Sequence, residues 1–385
     1  MGLIANIIHQ EDEGKTLRLN ATEFFDTQKK SKIVYLPSEW ALQSGVQLTW
    51  PHEDTDWAYM LDEVKDCYRH LAEEIAARET LLIVTPSVED TKAELATWFQ
   101  ADKLPLGKTA EELMQNIRFF ECPTNDTWAR DHGFITLKTE EEAQLVDFRF
   151  NGWGQKFAAN YDNQICRKLM NSSLLNGRYL NSLDFVLEGG SIESDGCGTL
   201  LTTTECLTAP NRNEPMDKEE IDGYLTKLFN LKQILWLDYG YLAGDDTDSH
   251  VDTLARLCPD ETITYVQCLD KEDEHYGQLH LMEEQLKTFR TLEGKPFRLL
   301  PLPMASAVYD EDGLRLPATY ANFLIMNQTV LYPTYNQPEN DAKAKDVLQQ
   351  AFPSREIVGV DCRALIKQHG SLHCVTMQFP VGVLK

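Results

Sequence analysis

The stretch Tyr59–Arg78, YMLDEVKDCYRHLAEEIAAR, runs almost directly into Thr80–Pro86, TLLIVTP, and the two together indicate the fold class. In the first stretch apolar residues recur at helical spacing, which predicts an amphipathic helix with one buried face. The second is a short apolar run closed by a proline, which is typical of a buried strand. Ser87 then stands as the N-cap of a further helix, predicted from about Thr91 to Phe99.

Helices and strands alternate in this way along the rest of the chain, without a long linker rich in proline, glycine or serine. We therefore predict a single α/β domain over residues 1–385. Further strands are predicted at 116–123, 185–187 and 234–237, and further helices near 217–229, 274–292 and 340–351. Counted coarsely, a unit of one helix and a few strands recurs about five times. A radial arrangement of these units would bring the loops at the strand ends together, so that residues distant in sequence could share a site.

The charge of the chain restricts its partners. Among 385 residues there are 61 acidic and 36 basic side chains, for a formal net charge of -25. Most of this charge is interpreted as a solvated acidic surface. Because such a surface repels nucleic-acid phosphates and anionic membranes, we predict neither as a partner, whereas a small cation would be attracted.

The cysteines and the N-terminus bear on the cellular location. Nine cysteines, odd in number and without a Cys-x-x-Cys pair, suggest neither a disulfide framework nor a zinc ribbon. Residues Met1–Leu17 lack the basic flank of a secretory signal, and no apolar run is long enough to cross a bilayer. We therefore predict a cytoplasmic protein.

Two polar segments hold candidate catalytic groups. Cysteine is a strong nucleophile when its thiol is ionised, and Cys374 follows the strand-like run Gly370–His373, although core packing is the commoner role of a lone cysteine. His250 lies among four aspartates, and on a strand His250 and Asp252 would point to the same face. Nearby carboxylates favour a protonated imidazole, as an acid and base catalyst requires. A calcium loop is disfavoured because the spacing of a twelve-residue loop with a terminal Glu is missing.

Three other segments offer polar groups in loops or at strand ends. Glu188–Gly190 follows an apolar strand, so that the carboxylate emerges at the strand tip and the glycines allow close backbone approach. Asp131 comes soon after Trp128 and Arg130, and an exposed tryptophan there indicates a binding surface. A surface ion pair between Arg130 and Asp131 is the simpler alternative. Asn151–Gly154 is typical of a hairpin turn.

The order of these segments carries more information than any one of them. In sequence they are Leu48–Pro51 within Trp40–Trp57, Asn125–Gly133, Phe150–Gly154, Leu187–Ile192, Leu200–Thr203, Asn211–Asn213, Gly244–Asp245, His250–Asp252, Leu316–Ala318, Tyr320, Asn322–Phe323 and His373–Cys374. Together they resemble the agmatine deiminase and bacterial-type peptidylarginine deiminase family, over about residues 35–380. So many matches in order are highly specific.

The resemblance implies a pentein fold, a five-bladed α/β propeller with the site on its axis. It also implies that Cys374 is the nucleophile and that His250 is the general acid and base. Asp131 and Asp252 would clamp the guanidinium nitrogens, and Glu188 would contact or orient the catalytic set.

The resemblance further suggests residues for the other end of the substrate. Trp128 and Asp246 would receive the distal amine of agmatine, although the family usually has the longer Glu in place of Asp246. Trp153 is another candidate for substrate binding, and Arg130 is a candidate partner for a substrate carboxylate. The segment Gln368–Cys374 departs from the glycine-rich run of the family, which leaves the choice of substrate open.

The chemistry fits these residue types directly. A planar, cationic guanidinium needs carboxylates to hold it and a nucleophile above its plane. We predict hydrolysis of agmatine to N-carbamoylputrescine and ammonia through an amidino-cysteine intermediate, without a metal or organic cofactor. The alternative within the family is deimination of peptidyl or free arginine. Two alternatives of other kinds are a non-catalytic binder of guanidines or polyamines and an amidinotransferase. A papain-like hydrolase is disfavoured, because it would leave Asp131 and Asp252 without a role. The size of the protein also suggests a homo-oligomer.

Overall fold

A computed structural model describes residues 34–100 and 103–385, so the prediction for Met1–Leu17 lies outside the described residues. The described strands, β1 to β18 in chain order, are Gln43–Thr49, Thr80–Thr85, Ile117–Glu121, Ile135–Lys138, Ala143–Arg149, Arg178–Val186, Ile192–Ser194, Thr199–Thr203, Gln233–Leu237, Ala255–Cys258, Thr262–Gln267, Arg298–Pro303, Val308–Tyr309, Arg315–Leu316, Leu324–Ile325, Thr329–Thr334, Glu356–Asp361 and Thr376–Pro380. The described α-helices, α1 to α11, are Leu61–Ala76, Val88–Trp98, Ala110–Gln115, Ala129–His132, Gly152–Gln155, Ile165–Met170, Thr204–Leu207, Lys218–Phe229, Tyr276–Thr288, Pro338–Ala351 and Arg363–Ile366. Short 3₁₀ turns lie at Ala58–Met60, Pro105–Gly107, Asp162–Gln164, Gly189–Ser191 and Val251–Thr253.

Five sheets in the described part of the chain share one pattern, an antiparallel strand pair followed by a parallel neighbour. In strand order they are β4-β5-β6, β7-β8-β9, β10-β11-β12, β15-β16-β17 and β18-β1-β2-β3. A helix lies in each parallel crossover, such as α8 between β8 and β9 and α10 between β16 and β17. In the last sheet the C-terminal strand β18 pairs with β1. The α/β class is therefore confirmed, and the repeated unit predicted from the sequence corresponds to these sheets.

Strand β2 shows why the opening stretch folds as predicted. Leu81 and Ile83 on one face are fully buried in the same core cluster as Val64 and Leu71 of α1. Leu82, on the opposite face, belongs to a second core cluster. A parallel strand covered on both faces has no solvent side, and this is why its sequence is continuously apolar rather than alternating.

Helix starts are set by capping side chains. The Ser87 hydroxyl accepts a hydrogen bond from Asp90 N at 3.3 Å and caps α2, as predicted. The helix begins at Val88, however, rather than near Thr91, because its first turn follows directly on this cap. Asp217 caps α8 in a reciprocal capping box with Glu220.

Two segments predicted as strands are turns. Gly370–His373 forms the loop before β18, and His250 precedes the 3₁₀ turn at Val251–Thr253. The first loop is held by tertiary contact rather than by a strand partner, because a Cβ on Gly370 would lie 2.1 Å from the Trp128 ring. Asn151–Gly154 is not a hairpin turn either, since β5 pairs in parallel with β6.

Over the described residues, we find no helix that combines the length and the apolar character needed to cross a membrane.

Candidate active site

Four of the connections that follow a sheet's last strand carry a predicted site residue. Asp131 follows β3, Glu188 follows β6, His250 follows β9 and Cys374 follows β17. Contacts of 4.0 Å or less join all four connections, from Gly190 to Asp131, from His250 to Asp131 and from Cys374 to Asp252. The structure therefore brings together residues that are up to about 240 positions apart, as the radial arrangement predicted from the sequence requires.

Gly190 marks the point at which three polar groups converge. A Cβ placed on Gly190 would lie 2.7 Å from His250 Nδ1 and 3.0 Å from both Asp131 Oδ1 and Asp252 Oδ2. A Cβ at this position would force these side chains to shift, so glycine is what allows the backbone to approach them. The predicted role of the glycines after Glu188 is confirmed at this position.

Asp131 is fixed in orientation by two donors. Gly190 N donates to Oδ1 and Trp153 Nε1 donates to Oδ2, each at 3.0 Å. His250 Nδ1 lies 3.7 Å from Oδ1. Burial raises the pKa of Asp131 to about 6, although the charge of His250 opposes the rise. The carboxylate is therefore mainly ionised at pH 7 and protonated in moderately acidic solution.

Asp252 is a second, fully buried carboxylate. His373 Nδ1 lies 2.7 Å from its Oδ2, whereas its Oδ1 has no hydrogen-bond partner among the described residues. Burial alone would raise the pKa of Asp252, but the hydrogen bond and charge of His373 lower it. An ionised carboxylate with one unpaired buried oxygen is suited to a ligand that donates hydrogen bonds.

A buried network of charges behind Asp252 fixes His373. Its Nε2 lies 2.9 and 3.0 Å from the two oxygens of Glu39. Glu39 also pairs with Arg256 at 2.6 Å and with Arg130 at 2.9 Å. His373, which sequence reasoning treated only as a neighbour of the nucleophile, therefore positions Asp252.

Arg130 lies in this network rather than at the cavity of the site. Its side chain is 4% exposed, and it donates to Glu39 and Gln378. It is thus neither a surface partner of Asp131 nor among the residues that line the cavity. Trp128, expected on an exposed loop, is also buried, because the Gly370 backbone packs on its ring.

Asn322 holds the loop that carries Cys374. Its Oδ1 accepts from His373 N at 2.8 Å and lies 3.4 Å from Cys374 Sγ. Asp252 Oδ2 is 4.0 Å from the same sulfur. Burial, and then the negative charges of Asp252 and Asp131, raise the pKa of the Cys374 thiol well above its usual value. At neutral pH the thiol is therefore protonated unless a cation lies beside it.

His250 is the imidazole of the site, and it contacts Glu188 and Cys206. One polar atom from each of the three lies within 4.8 Å of the others. Neither ring nitrogen has a hydrogen-bond partner of ordinary length in the described part of the chain. Burial would lower the pKa of His250, but the charge of Asp131, with Cys206 and Glu188, raises it well above the usual value. The ring is therefore protonated at neutral pH, as predicted.

Arg212 neutralises the buried charge of Glu188. Its Nε donates to both carboxylate oxygens at 3.0 and 3.2 Å, and both side chains are fully buried. A second nitrogen, NH1, donates to Asp248 at 2.6 Å. No role was predicted for Arg212, because the sequence shows only an arginine between two asparagines in the segment Asn211–Asn213.

A cavity of about 130 Å³ reaches the nucleophile. Its lining comprises Asp56, Asp126, Trp128, Asp131, Trp153, Phe157, Asp246, Thr247, Gln368, His369, Gly370 and Cys374. Cys374 and Asp131 are buried, whereas Asp56 is exposed and Asp246 is half-buried, so the first pair marks the inner end and the second the mouth. The predicted candidates Trp128, Trp153 and Asp246 therefore line the same cavity as Cys374.

Carboxylates also surround the outer part of this cavity. Burial and the charge of Asp56 raise the pKa of Asp126 to about 7. Burial likewise raises the pKa of Asp246, and His369 opposes that rise. Asp56 and Asp126 were missed from the sequence. Asp126 lies in the segment Asn125–Gly133, which resembles the family, but no role was predicted for it. Asp56 stands in an acidic loop whose sequence is like that of any solvated turn.

Among the residues that the structure describes, two side-chain clusters have geometry that could hold a metal ion. They are Glu188, Cys206 and His250, and Glu39, Glu193 and His373. Buried arginines already balance their negative charge, since Arg212 pairs with Glu188 and Arg256 with both Glu39 and Glu193. A divalent cation would have to displace or oppose these guanidinium groups.

Known proteins share this fold and much of this sequence. The sequence profile of the Porphyromonas-type peptidyl-arginine deiminase family matches residues 35–380. A "Putative Arginine Deiminase" structure from Porphyromonas gingivalis is 50% identical, with a TM-score of 0.83, over 92% of this chain and 100% of that one. The C. jejuni agmatine deiminase, solved with substrate bound, is 37% identical, with a TM-score of 0.82, over 92% and 98%.

A "Putative agmatine deiminase" of Legionella pneumophila (strain Paris) is 32% identical over 360 residues, which cover 92% of this chain and 98% of that protein. The predicted relationship is confirmed by the extent of these matches. The chain belongs to the Porphyromonas-type peptidyl-arginine deiminase family, whose members include enzymes named agmatine deiminases.

Proposed function

We propose that this protein is a cysteine-dependent hydrolase of guanidinium C–N bonds and that its substrate is agmatine, which it converts to N-carbamoylputrescine and ammonia. The observation that carries the proposal is a single cavity with a thiol and a carboxylate at its buried end and further carboxylates toward its mouth. Agmatine has the matching charge pattern, with one cation at each end of an apolar chain.

The inner end of the cavity suits a guanidinium. Asp131 and Asp252 both lie within about 3 Å of one point at Gly190, so two carboxylates can accept hydrogen bonds from one planar cation. Asp252 Oδ1 is unpaired, and Asp252 Oδ2 is 4.0 Å from Cys374 Sγ. A guanidinium bound between these carboxylates would place its central carbon next to the sulfur.

Binding of the cation also activates the thiol. In the free protein Asp252 and Asp131 raise the pKa of Cys374 and keep its proton in place. A bound guanidinium cancels these charges, so the thiol releases its proton to solvent. The sulfur then forms a bond to the guanidinium carbon, and the π electron pair moves onto nitrogen to give a tetrahedral adduct.

His250 moves the remaining protons. In its protonated form it donates to the leaving nitrogen, the C–N bond breaks, and ammonia departs from an amidino-cysteine. Now neutral, His250 takes a proton from water as that water attacks the same carbon. The C–S bond then breaks as the carbonyl forms, the hydroxyl proton of the adduct passes to the departing sulfur to restore the thiol, and the ureido product is released. Glu188, held by Arg212, lies beside the imidazole and supports its charged form.

The cysteine assignment agrees with a relative's chemistry. The C. jejuni agmatine deiminase was solved with substrate bound after a cysteine had been replaced by serine. A serine hydroxyl is a weaker nucleophile than a thiolate, so such a substitution is suited to preserving a bound substrate. This supports a cysteine nucleophile in the present chain.

The outer end of the cavity distinguishes agmatine from arginine. Asp56, Asp126 and Asp246 would attract a distal ammonium and repel an α-carboxylate. Formation of citrulline from arginine is the second candidate, and the name of the P. gingivalis relative favours it. The buried ion pair of Arg130 with Glu39 weighs against that candidate, because it leaves this guanidinium engaged away from the cavity.

The architecture proposed with this function is one catalytic domain in which the five sheets surround the site as five blades. It is supported by the loops after β3, β6, β9 and β17, which each bring a residue to the site, and by Asn322, which follows β14. The cytoplasmic location and a homo-oligomeric state remain predictions from the sequence.

The test is turnover with the purified protein. Agmatine, free arginine and an arginine-containing peptide are offered separately, and both ammonia and ureido product are measured. Cys374→Ala should abolish agmatine turnover, whereas Cys197→Ala, at an exposed cysteine, should retain it. An amidino adduct trapped by acid quench should map to Cys374 by mass spectrometry. Turnover of arginine or peptide alone would contradict the assigned substrate, and full activity of Cys374→Ala would contradict the mechanism.

A further inference from the structure

His369 occupies an unusual position in the loop that carries the nucleophile. It lines the same cavity as Cys374 and has a backbone φ of 67°, in the left-handed region. Residues with a Cβ seldom adopt this conformation, and those that do are often found at functional sites. The neighbouring Gly370 packs directly on the Trp128 ring, so the loop has little freedom to move the histidine elsewhere.

The orientation of the His369 ring is fixed by one hydrogen bond. Nδ1 lies 2.7 Å from the carbonyl oxygen of Gly244, which can only accept, so Nδ1 carries the hydrogen. The other nitrogen, Nε2, lies 3.9 Å from Asp246 Oδ2. When the ring is neutral, Nε2 has no hydrogen. When it is protonated, Nε2–H and its positive charge face Asp246 at the mouth of the cavity.

We propose that His369 is a specificity-determining residue, whose charge sets how strongly the outer end of the cavity prefers a ligand with a distal ammonium. The proposal rests on the proposed function and refines it. Neutral His369 leaves Asp246 available to the ammonium of agmatine. Charged His369 pairs with Asp246 and repels the ammonium, so that the preference falls as the pH falls.

Other charged groups around the ring have to be separated from this effect. Asp56 and Asp126 line the same cavity, and Asp126 itself titrates near pH 7. Lys156 Nζ donates to the backbone oxygen of Asp246 at 2.7 Å and to Asp248 at 2.7 Å. Asp245 accepts hydrogen bonds from Thr247 and Ser249 within the same loop. Deeper in the cavity, Asp131, Cys374 and, beside them, His250 also change charge with pH.

The experiment isolates the outer end by comparing two ligands with the same guanidinium. Agmatine carries a distal ammonium, whereas 1-butylguanidine ends in a methyl group, so the ratio of their dissociation constants cancels titration at the inner end. Both constants are measured by calorimetry at pH 5.5 and pH 8.0 in the Cys374→Ala protein, which cannot turn them over. The same measurements are made after adding His369→Asn, because asparagine tolerates the left-handed conformation and does not titrate. His280→Asn is the matched control, at an exposed histidine of α9 outside the cavity lining.

Between pH 8.0 and pH 5.5 the preference for agmatine should fall on the order of 5-fold further in the chain with His369 than in the His369→Asn variant. The fall in preference that remains in the His369→Asn variant measures the protonation of Asp126 and Asp246. His280→Asn should match the parent chain. An equal fall with and without His369 overturns the proposal, as does a preference that rises at pH 5.5 only when His369 is present. Should His369→Asn denature at a lower temperature, His369→Gly provides the same comparison without left-handed strain.

Failure of the role of His369 and failure of the proposed function give different results. Turnover of agmatine by the chain with Cys374 intact tests the proposed function, whereas the dissociation constants test the role of His369. Tight agmatine binding with no turnover would contradict the function alone, and pH-independent preference with normal turnover would contradict the role of His369 alone.

Discussion

Substitution of Asp252 by asparagine should change two properties of the site in opposite directions. Asparagine has the same shape and can still accept a hydrogen bond from His373 Nδ1, so the loop geometry should be preserved. What is removed is a negative charge 4.0 Å from Cys374 Sγ, where it raises the pKa of the thiol. The thiol should therefore ionise more readily, while the substrate loses one of the two carboxylates that bind it.

The size of the first effect follows from Coulomb's law. Two unit charges 4.0 Å apart interact by about 4 kcal/mol at the effective dielectric constant of about 20 that suits protein sites. Since about 1.4 kcal/mol corresponds to tenfold, the thiolate population should rise by about 1000-fold. A less basic thiolate is also less nucleophilic, with a Brønsted coefficient near 0.5, which offsets about half of the gain on a logarithmic scale. Alkylation of Cys374 by neutral iodoacetamide should thus accelerate on the order of 30-fold.

The assay follows carbamidomethylation of the Cys374 peptide by mass spectrometry at pH 7.5, because the exposed Cys197 will also react. Agmatine turnover by the same Asp252→Asn protein should fall by at least about 100-fold, since a misplaced guanidinium no longer meets the sulfur. Asp246→Asn, which removes a carboxylate at the cavity mouth, is the matched control and should change the alkylation rate by less than about 3-fold. Unchanged or slower alkylation in folded Asp252→Asn would refute the assigned electrostatic coupling.

Three further outcomes follow from the buried site. Arg212→Ala leaves the Glu188 carboxylate buried without its cation. The free energy of unfolding, measured in urea, should therefore fall by about 3–5 kcal/mol. A loss below about 1 kcal/mol would contradict the buried pair. Gly190→Ala forces a methyl group to within 2.7 Å of His250 Nδ1. The kcat for agmatine should therefore fall by about 100-fold, while circular dichroism shows that the protein is still folded. A near-normal kcat would show that the site can relax around the methyl group. Because the pKa of Asp131 is raised to about 6, the ionised form that binds a guanidinium is lost as the pH falls below 6. The kcat/KM for agmatine should therefore decrease about tenfold per pH unit well below that value, and a flat profile between pH 4.5 and 6 would exclude this assignment.

The parts of the fold that depend on local pattern were predictable. Helix α1 and strand β2 have periodic or continuous apolar sequence, and the Ser87 cap is a local hydrogen bond between residues three apart. Loops were less predictable because their conformation depends on contacts distant in sequence. Gly370–His373 was predicted as a strand, yet its backbone is held by Trp128 and Asn322.

The same distinction separates the site residues. Cys374, His250 and the carboxylates were identified because a family resemblance fixes their order along the chain. In the structure Cys374 and Asp131 line one cavity, and His250 and Asp252 meet Asp131 at Gly190. Arg212 and His373 were not assigned, since nothing local marks an arginine that will meet Glu188 or a histidine that will meet Asp252. Such partners become visible only when the connections from different sheets meet.

The charge state of the free site gives the proposed reaction its direction. A thiol that stays protonated beside Asp131 and Asp252 is a poor nucleophile toward neutral molecules, because these cannot cancel the two negative charges. A guanidinium cancels them and so generates the thiolate where it is needed. The ureido group of the product is neutral, so after hydrolysis the carboxylates again raise the affinity of Cys374 for a proton, and the product loses the ion pairs that held the guanidinium. The same two carboxylates therefore select the cation, activate the sulfur against it and favour release of the product.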